Sequence, residues 1–184
     1  MPIEEDDPRL IARIRQGDQE AFGDLYERYL DDIYRYVYYR VSNHQDAEDL
    51  TEQVFLKAWE GMHGYRSQVP FRAWIYRIAH NAIIDHYRTR KGSLPLTEHT
   101  TLIDKNPDPE KQLMAKDKAE QLACTINRLS PLHQHVLILR FINGFSMTEV
   151  AQILDRNVGA IRVLQHRALK AMQAFLTAGE ITDV

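Results

Sequence analysis

The sequence has little of what a secreted or membrane protein needs. Its 184 residues include a single cysteine, Cys124, so no disulfide can form within the chain. No apolar run approaches the roughly 20 residues of a membrane span, and the first residues are acidic where a signal peptide would be basic. These absences exclude a disulfide-rich fold, and they predict a cytoplasmic protein that does not insert into membranes.

Patterns typical of catalytic and metal sites are also lacking. His133 and His135 lie two apart on a predicted helix and therefore point to different faces, and no other histidines or carboxylates have metal-ligand spacing. There is no glycine-rich phosphate loop and no nucleophile next to a base. The sequence therefore favours a binding protein over an enzyme, with no cofactor and no metal.

What is present is the composition of a soluble globular protein, with 44% hydrophobic and 27% charged residues. The net charge of -3 would ordinarily argue against nucleic-acid binding. Acids and bases are, however, concentrated in different segments of the chain. The charge of each predicted helix is therefore more informative than the total.

Two helices are predicted at the N-terminus. Asp7-Pro8 reads as the start of a short helix that ends near Gly17. Asp18 caps the second, whose apolar residues keep a helical period up to about Val41.

An acidic helix is predicted next. Ser42 and Gln45 have the spacing of a capping box. Apolar residues then recur at helical intervals at Ala47, Leu50, Val54, Ala58 and Trp59. The other side of the helix has a charge of about -4, from Asp46, Glu48, Asp49, Glu52 and Glu60 against Lys57. It is either a solvated face or the contact surface for a basic partner.

A basic helix is predicted from Pro70 onwards. Its predicted buried residues are Trp74, Ile75, Ile78, Ala79, Ala82 and Ile83. Its charge is about +4, from Arg72, Arg77, Arg88, Arg90 and Lys91 against Asp85. Cations interleaved with aromatic residues suit a surface that neutralises phosphate and stacks unpaired bases. Alternatively, Trp74 belongs to the core and the arginines keep the helix soluble.

These two helices carry a family resemblance. Asp-Ala-Glu-Asp-Leu-Thr-Glu-Gln-Val-Phe-Leu-Lys-Ala-Trp from Asp46, followed by Phe-Arg-Ala-Trp-Ile-Tyr-Arg-Ile-Ala-His-Asn from Phe71, resembles domain 2 of the extracytoplasmic-function sigma factors of bacterial RNA polymerase, in the sigma-70 family. The resemblance implies that the acidic helix binds core polymerase through Asp46, Glu48, Asp49, Leu50, Glu52 and Phe55. Leu50 and Phe55 are either the apolar part of that contact or core residues only.

Between the charged helices lies a loop from Gly61 to Val69, which is either a connector or a site that captures one unstacked base. The resemblance favours base capture, because this loop sets much of the specificity for the -10 promoter element in the family. The -10 contacts that it implies are Tyr65, Arg66, Phe71, Trp74, Arg77, Asn81 and Arg88.

Helical periodicity stops between Gly92 and Pro109, which predicts a linker. The predicted fold is therefore all-α, with two small helical domains joined by an extended linker. Domain 2 spans residues 1-91, the linker 92-109 and the C-terminal domain 110-184.

The C-terminal domain is predicted to begin with a helix from Asp108. Ser130-Pro131 starts the next helix, which ends at Gly144. Its predicted buried residues are Leu132, Val136, Leu137, Leu139 and Phe141.

A helix-turn-helix follows. Ser146 and Glu149 form a predicted capping box for a short helix, and Asp155-Arg156-Asn157 is a tight turn before the last helix. The last helix is predicted to bury Val158, Ile161, Leu164, Ala168, Leu169, Met172 and Phe175. The stretch from Arg156 to Lys170 has bases and no acids, which is typical of a DNA-reading face, although a charged solvent face is the alternative.

This motif resembles domain 4 of the same family, which reads the -35 promoter element. The implied contacts are Arg140, Arg156, Gly159, Arg162, Val163, His166, Arg167 and Lys170. The resemblance implies three partners: core RNA polymerase, through its largest-subunit clamp coiled coil and its beta-subunit flap, promoter DNA, and an anti-sigma factor. The alternative is a stand-alone helix-turn-helix regulator whose N-terminal domain binds an effector or dimerises, but such a regulator does not need the acidic helix.

Overall fold

Helices make up all the regular structure in the residues that the computed structural model describes, which are 7-66, 68-91, 122 and 125-180. The all-α prediction is confirmed for these ranges. The chain divides into two compact units, one built around the helices before residue 92 and the other around those after residue 125. The predicted linker, most of the helix predicted from Asp108, and Cys124 lie outside the described residues.

The first unit contains four helices. They are α1 (Asp7–Arg15), α2 (Glu20–Val41), α3 (His44–Gly61) and α4 (Phe71–Lys91), with one 3-10 turn, Met62–Gly64, after α3. The predicted cap of α2 is confirmed, because an Asp18 carboxylate oxygen accepts the backbone N–H groups of Glu20 at 3.1 Å and Ala21 at 3.4 Å.

The predicted capping box at Ser42 and Gln45 is wrong by one residue. Ser42 has φ +53° and closes α2, because its N–H donates to the Tyr38 carbonyl at 2.8 Å. The cap of α3 therefore falls on Asn43, whose side-chain oxygen accepts the N–H of Asp46 at 2.9 Å. Because only two residues separate α2 from α3, Ser42 serves as the C-cap of α2 and cannot also be the N-cap of α3.

The core of the first unit lies where α2 packs against α3 and α4, while α1 packs on α2. Its most buried residues include Leu25, Tyr29, Ile33, Tyr36, Val54, Ile75, Tyr76 and Ile83. The prediction that Trp59 is buried is wrong, since its side chain is 37% exposed. The rings of Trp59 and Phe22 are in edge-to-face contact near the end of α3, with their centroids 4.9 Å apart.

The second unit contains α5 (Pro131–Leu137), which continues through a π-helical turn (Ile138–Ile142), α6 (Met147–Ile153) and α7 (Val158–Glu180). The predicted capping box of α6 is confirmed: Ser146 N–H donates to Glu149 at 2.7 Å, and Glu149 N–H donates to the Ser146 hydroxyl at 3.2 Å. Asn157 caps α7 by accepting the N–H of Ala160 at 2.7 Å.

The π turn changes which residues of this unit are buried, compared with the prediction. The Asn143 N–H donates to the Ile138 carbonyl, five residues back, at 3.0 Å, and the extra residue rotates the end of the helix. Phe141 is consequently 58% exposed, although it was predicted to be buried, and Phe145 is fully buried in the second unit. Leu169 is also exposed rather than buried, because it lies one position further round the helix than the buried Ala168.

Leu129, Leu137 and Ala168 form a buried cluster that Met172 and Phe175 extend along α7. The Arg128 guanidinium lies over the Phe175 ring at 4.4 Å. No helix in the part of the chain that the structure describes is long and apolar enough to cross a bilayer.

Candidate functional site

An acidic stripe runs along the exposed side of α3. Glu48, Asp49 and Glu52 are exposed and Asp46 is half-buried, so the four predicted acids reach the surface. Leu50 and Phe55 are buried, and the Phe55 ring packs against Tyr26 at 4.6 Å. The sequence left two interpretations open for Leu50 and Phe55, an apolar part of the polymerase contact or a role in the core only. Their burial agrees with the role in the core.

An apolar residue that sequence reasoning missed lies on this stripe. Leu56 is 58% exposed, and it follows Asp49 by seven residues and Glu52 by four. These spacings place all three side chains on one face of the helix. We call the exposed residues Asp49, Glu52, Gln53, Leu56 and Glu60 the α3 stripe. The position of Leu56, seven residues after Asp49 in a helix, would have been enough to predict that it shares this face.

Two neighbouring side chains hold the acids at the start of α3. The Gln45 amide donates to Asp49 at 3.0 Å, and His86 of α4 lies 3.8 Å from the Asp46 carboxylate. One oxygen of Asp49 therefore has a neutral donor rather than a cation. The negative charge of Asp49 is thus available to a basic partner.

A second stripe runs along α4 and is cationic. Arg77, Asn81, Ile84 and Arg88 are all exposed, at spacings of four, three and four residues, which is one helical face. Arg88 pairs with Asp85 at 3.2 Å, yet its side chain remains 79% exposed. Three of these residues were predicted from the sequence, and Ile84 was missed. We call the four residues the α4 stripe.

The aromatic residues near the loop belong largely to the core. Tyr65 and Phe71 are buried and Trp74 is half-buried, with ring centroids 4.8 Å apart for Tyr65 and Trp74 and 5.6 Å apart for Phe71 and Trp74. A Cβ atom at Gly61 would lie 3.2 Å from the Trp74 ring, so glycine at this position makes room for the indole. The rings of Tyr65 and Phe71 are therefore not open to an incoming base in this conformation.

The hydroxyl group of Tyr65 is bonded within the loop. Its hydroxyl donates to the Val69 carbonyl at 2.6 Å, and burial raises the pKa of the phenol. Around it, the side chains of His63, Arg66 and Gln68 are exposed. Of the loop residues predicted to contact DNA, Arg66 is thus accessible and Tyr65 is an internal anchor.

The third charged stripe lies on α7. Its members are Gly159, Arg162, Val163, His166, Arg167 and Lys170, all of them exposed and all at helical spacings that share one face. We call this set the α7 stripe. Arg156 is exposed in the turn before it. A Cβ atom at Gly159 would lie 3.3 Å from the Asn157 side-chain oxygen, so glycine also leaves room for the cap of α7.

Arg140 differs from the other predicted -35 residues. Its Nε donates to the Gln165 side chain at 3.1 Å, and its Nη1 donates to the Phe145 carbonyl. These bonds tie the π turn to the loop before α6 and to α7. Arg140 is therefore placed to support the orientation of α7, and its contact with DNA stays a prediction.

Comparison with known proteins agrees with this arrangement. The family model for sigma-70 region 2 matches residues 25–92, and that for sigma-70 region 4 matches residues 119–172. The chain is 36% identical to the ECF RNA polymerase sigma factor BldN of Streptomyces coelicolor over 91% of its own length and 64% of BldN. It is 32% identical to the RNA polymerase sigma factor YlaC of Bacillus subtilis over 86% of its own length and 94% of YlaC.

A solved structure shares the fold. CnrH, determined in complex with the cytosolic domain of CnrY, aligns with a TM-score of 0.75 and 26% sequence identity. The alignment covers 95% of this chain and 99% of that one. The chain thus spans 64% of the length of BldN, and nearly the whole of YlaC and CnrH.

Proposed function

The chain belongs to the extracytoplasmic-function sigma factors of the sigma-70 family, and on that premise we propose that it binds core RNA polymerase and directs it to promoters with a -10 and a -35 element. The observation that carries the proposal is the separation of charge within the first unit. The exposed side of α3 is acidic, and the exposed side of α4 is cationic. One unit can therefore hold a basic protein surface and a nucleic-acid strand at the same time.

The α3 stripe, with Asp46 and Glu48 beside it, is the proposed contact for a basic coiled coil of the largest polymerase subunit. Glu48, Asp49 and Glu52 are exposed, and the donor to Asp49 is the neutral Gln45 amide, so these carboxylates are suited to such a contact; Leu56 adds an apolar group within the same face. Leu50 and Phe55 support the face from the core.

The α4 stripe and the loop before it are the proposed -10 surface. Arg77 and Arg88 are placed to neutralise phosphates, while Asn81 offers both a donor and an acceptor to a base edge. Arg66 is an exposed cation of the loop. Trp74 is half-buried, so it is more accessible to a stacking base than the buried Tyr65 and Phe71. Tyr65 and Phe71 form the internal support of this surface.

The α7 stripe is the proposed -35 reader. Arg162 and Val163 lie in the first two turns of α7, the part that enters the major groove in helix-turn-helix proteins. Arginine can bind guanine with two hydrogen bonds, whereas Arg156 and Lys170 suit phosphate contacts. We further propose that the second unit contacts the beta-subunit flap of the polymerase, as the family resemblance implies.

Three further expectations come from family membership. The protein acts in the cytoplasm, where the polymerase is, and it is a transcription initiation factor rather than an enzyme. An anti-sigma factor that covers the proposed polymerase and DNA surfaces is the expected negative regulator. CnrH, which has the same fold and 26% identity, was determined with the cytosolic domain of CnrY bound.

A selection from random-sequence duplex DNA tests the proposal, done once with the protein alone and once with the protein and core polymerase. We expect a paired -35 and -10 motif to be enriched only when both are present. A stand-alone regulator would enrich one compact site without polymerase, and that outcome would overturn the proposal.

A further inference from the structure

An arginine of α1 is bonded to the loop that precedes α4. The Arg15 Nη2 donates to the backbone carbonyl of Tyr65 at 2.7 Å, although the two residues are 50 positions apart in the chain. No sequence motif pointed to this contact. It connects α1, which the proposed function leaves without a role, to the loop of which the structure describes residues 62–66 and 68–70, here called the capture loop.

The helix that carries Arg15 is itself fixed to the core. Leu10 and Ile11 are buried, and the carboxylate of Asp7, at the other end of α1, pairs with Arg28 of α2 at 2.7 Å. The Tyr29 hydroxyl also donates to Asp7. Both ends of α1 are thus attached, one to α2 and the other to the capture loop.

The side chain of Tyr65 is also held by its neighbours. Tyr65 is 5% exposed, its ring packs against Trp74 and Phe71, and its hydroxyl donates to the Val69 carbonyl at 2.6 Å. The Arg15 bond acts on the backbone of Tyr65, and the other contacts act on its side chain. The backbone bond and the side-chain contacts together fix Tyr65, and thereby the position of the exposed Arg66 that follows it in the loop.

We propose that Arg15 is a positioning residue for base selection at the -10 element, acting through the Tyr65 carbonyl on the side chains that the capture loop presents. The inference rests on the proposed function. A charged donor to a partly buried carbonyl is among the stronger hydrogen bonds in proteins, so its removal should let the loop sample other conformations. Base selection depends on a fitted pocket and is sensitive to such movement.

The test compares Arg15→Ala and Arg15→Lys with the matched control Arg13→Ala. Arg13 lies in the same helix and carries the same charge, but its guanidinium pairs with Asp18 at 2.8 Å and with Asp24 at 3.4 Å. The first measurement is amide hydrogen exchange over residues 62–70 in the full-length protein. We expect exchange about tenfold faster in Arg15→Ala, the factor for loss of one charge-assisted bond, and no change in Arg13→Ala.

The second measurement is selection from a library randomised at the -10 element, with core polymerase present. Arg15→Ala should reduce the preference for the selected base at one position about tenfold, with unchanged core affinity. Arg15→Lys keeps a donor and should restore part of the preference.

Three results would overturn the inference: unchanged loop exchange, unchanged base preference, or a uniform loss of affinity for all sequences. The last is what a direct phosphate contact by Arg15 would give. Failure of the proposed function is distinguishable, because the unmodified protein would then select no -10 motif with polymerase.

Discussion

Reversing the charge at Asp49 probes the proposed polymerase contact with little disturbance of the fold. Asp49 is exposed on the α3 stripe, and the side-chain bond found for it is the 3.0 Å contact from Gln45. Asp49→Lys should therefore change the free energy of unfolding by no more than about 0.5 kcal/mol. Any larger effect on polymerase binding would then come from the interface.

The size of that effect follows from simple electrostatics. A carboxylate about 4 Å from a cation gains about 4 kcal/mol at an effective dielectric constant of about 20. Desolvation and side-chain entropy reduce the measured value of an exposed pair to about 1 kcal/mol. Reversal removes this attraction and adds a repulsion of similar size, so the affinity for core polymerase should fall by about 2 kcal/mol, or about 30-fold.

The assay is equilibrium titration of labelled protein with core polymerase at two ionic strengths. The difference between Asp49→Lys and the unmodified protein should shrink at high salt, because the Debye length falls from about 8 Å at 0.15 M to about 3 Å at 1 M. Asp31→Lys is the control, since Asp31 is exposed on α2 and the change in charge is the same. Equal affinities for the Asp49 variant and this control would refute the reasoning.

Three further predictions concern DNA reading and stability. Arg162→Ala should cost about 1 to 3 kcal/mol of promoter affinity and relax selection at one -35 position; an unchanged preference in a randomised -35 library would show that the reading face is assigned wrongly. Asn157→Ala removes the acceptor for the Ala160 N–H and should lower the free energy of unfolding of the second unit by about 1 kcal/mol in urea titrations, whereas no change would argue against this cap. Asp7→Ala removes both the pair with the partly exposed Arg28 and the acceptor of the buried Tyr29 hydroxyl, and it should lower the free energy of unfolding of the first unit by about 2 kcal/mol; a change below about 0.5 kcal/mol would mean that these two contacts add little to stability.

Local patterns were predicted well where a short-range interaction decides the structure. The capping box of Ser146 and Glu149 is present because both bonds join residues three apart. The exposed acids of α3 and the exposed residues of α7 follow from helical periodicity alone. The cap of α3 was placed wrongly because the end of α2 uses Ser42, and that competition between neighbouring helices is not visible in one residue pattern.

Errors elsewhere came from structure that periodicity does not encode. A single π turn leaves Phe141 exposed where the helical period predicts a buried residue, and a fixed period of 3.6 residues cannot predict where such a turn occurs. The resemblance implied that Tyr65 and Phe71 contact -10 DNA, and nothing in the sequence showed that both rings are buried. Their burial depends on Trp74 and on helices distant in the chain, and the Arg15 contact with Tyr65 is equally non-local.

The central claim is that this chain gives promoter specificity to core RNA polymerase. Run-off transcription from a randomised promoter library, using bacterial core polymerase with and without the protein, tests it most directly. The account predicts transcripts that require the protein and whose templates share a paired -35 and -10 motif. If no such transcripts form, while the protein alone binds one duplex site tightly, the sigma-factor account is contradicted and the acidic side of α3 is solvated surface.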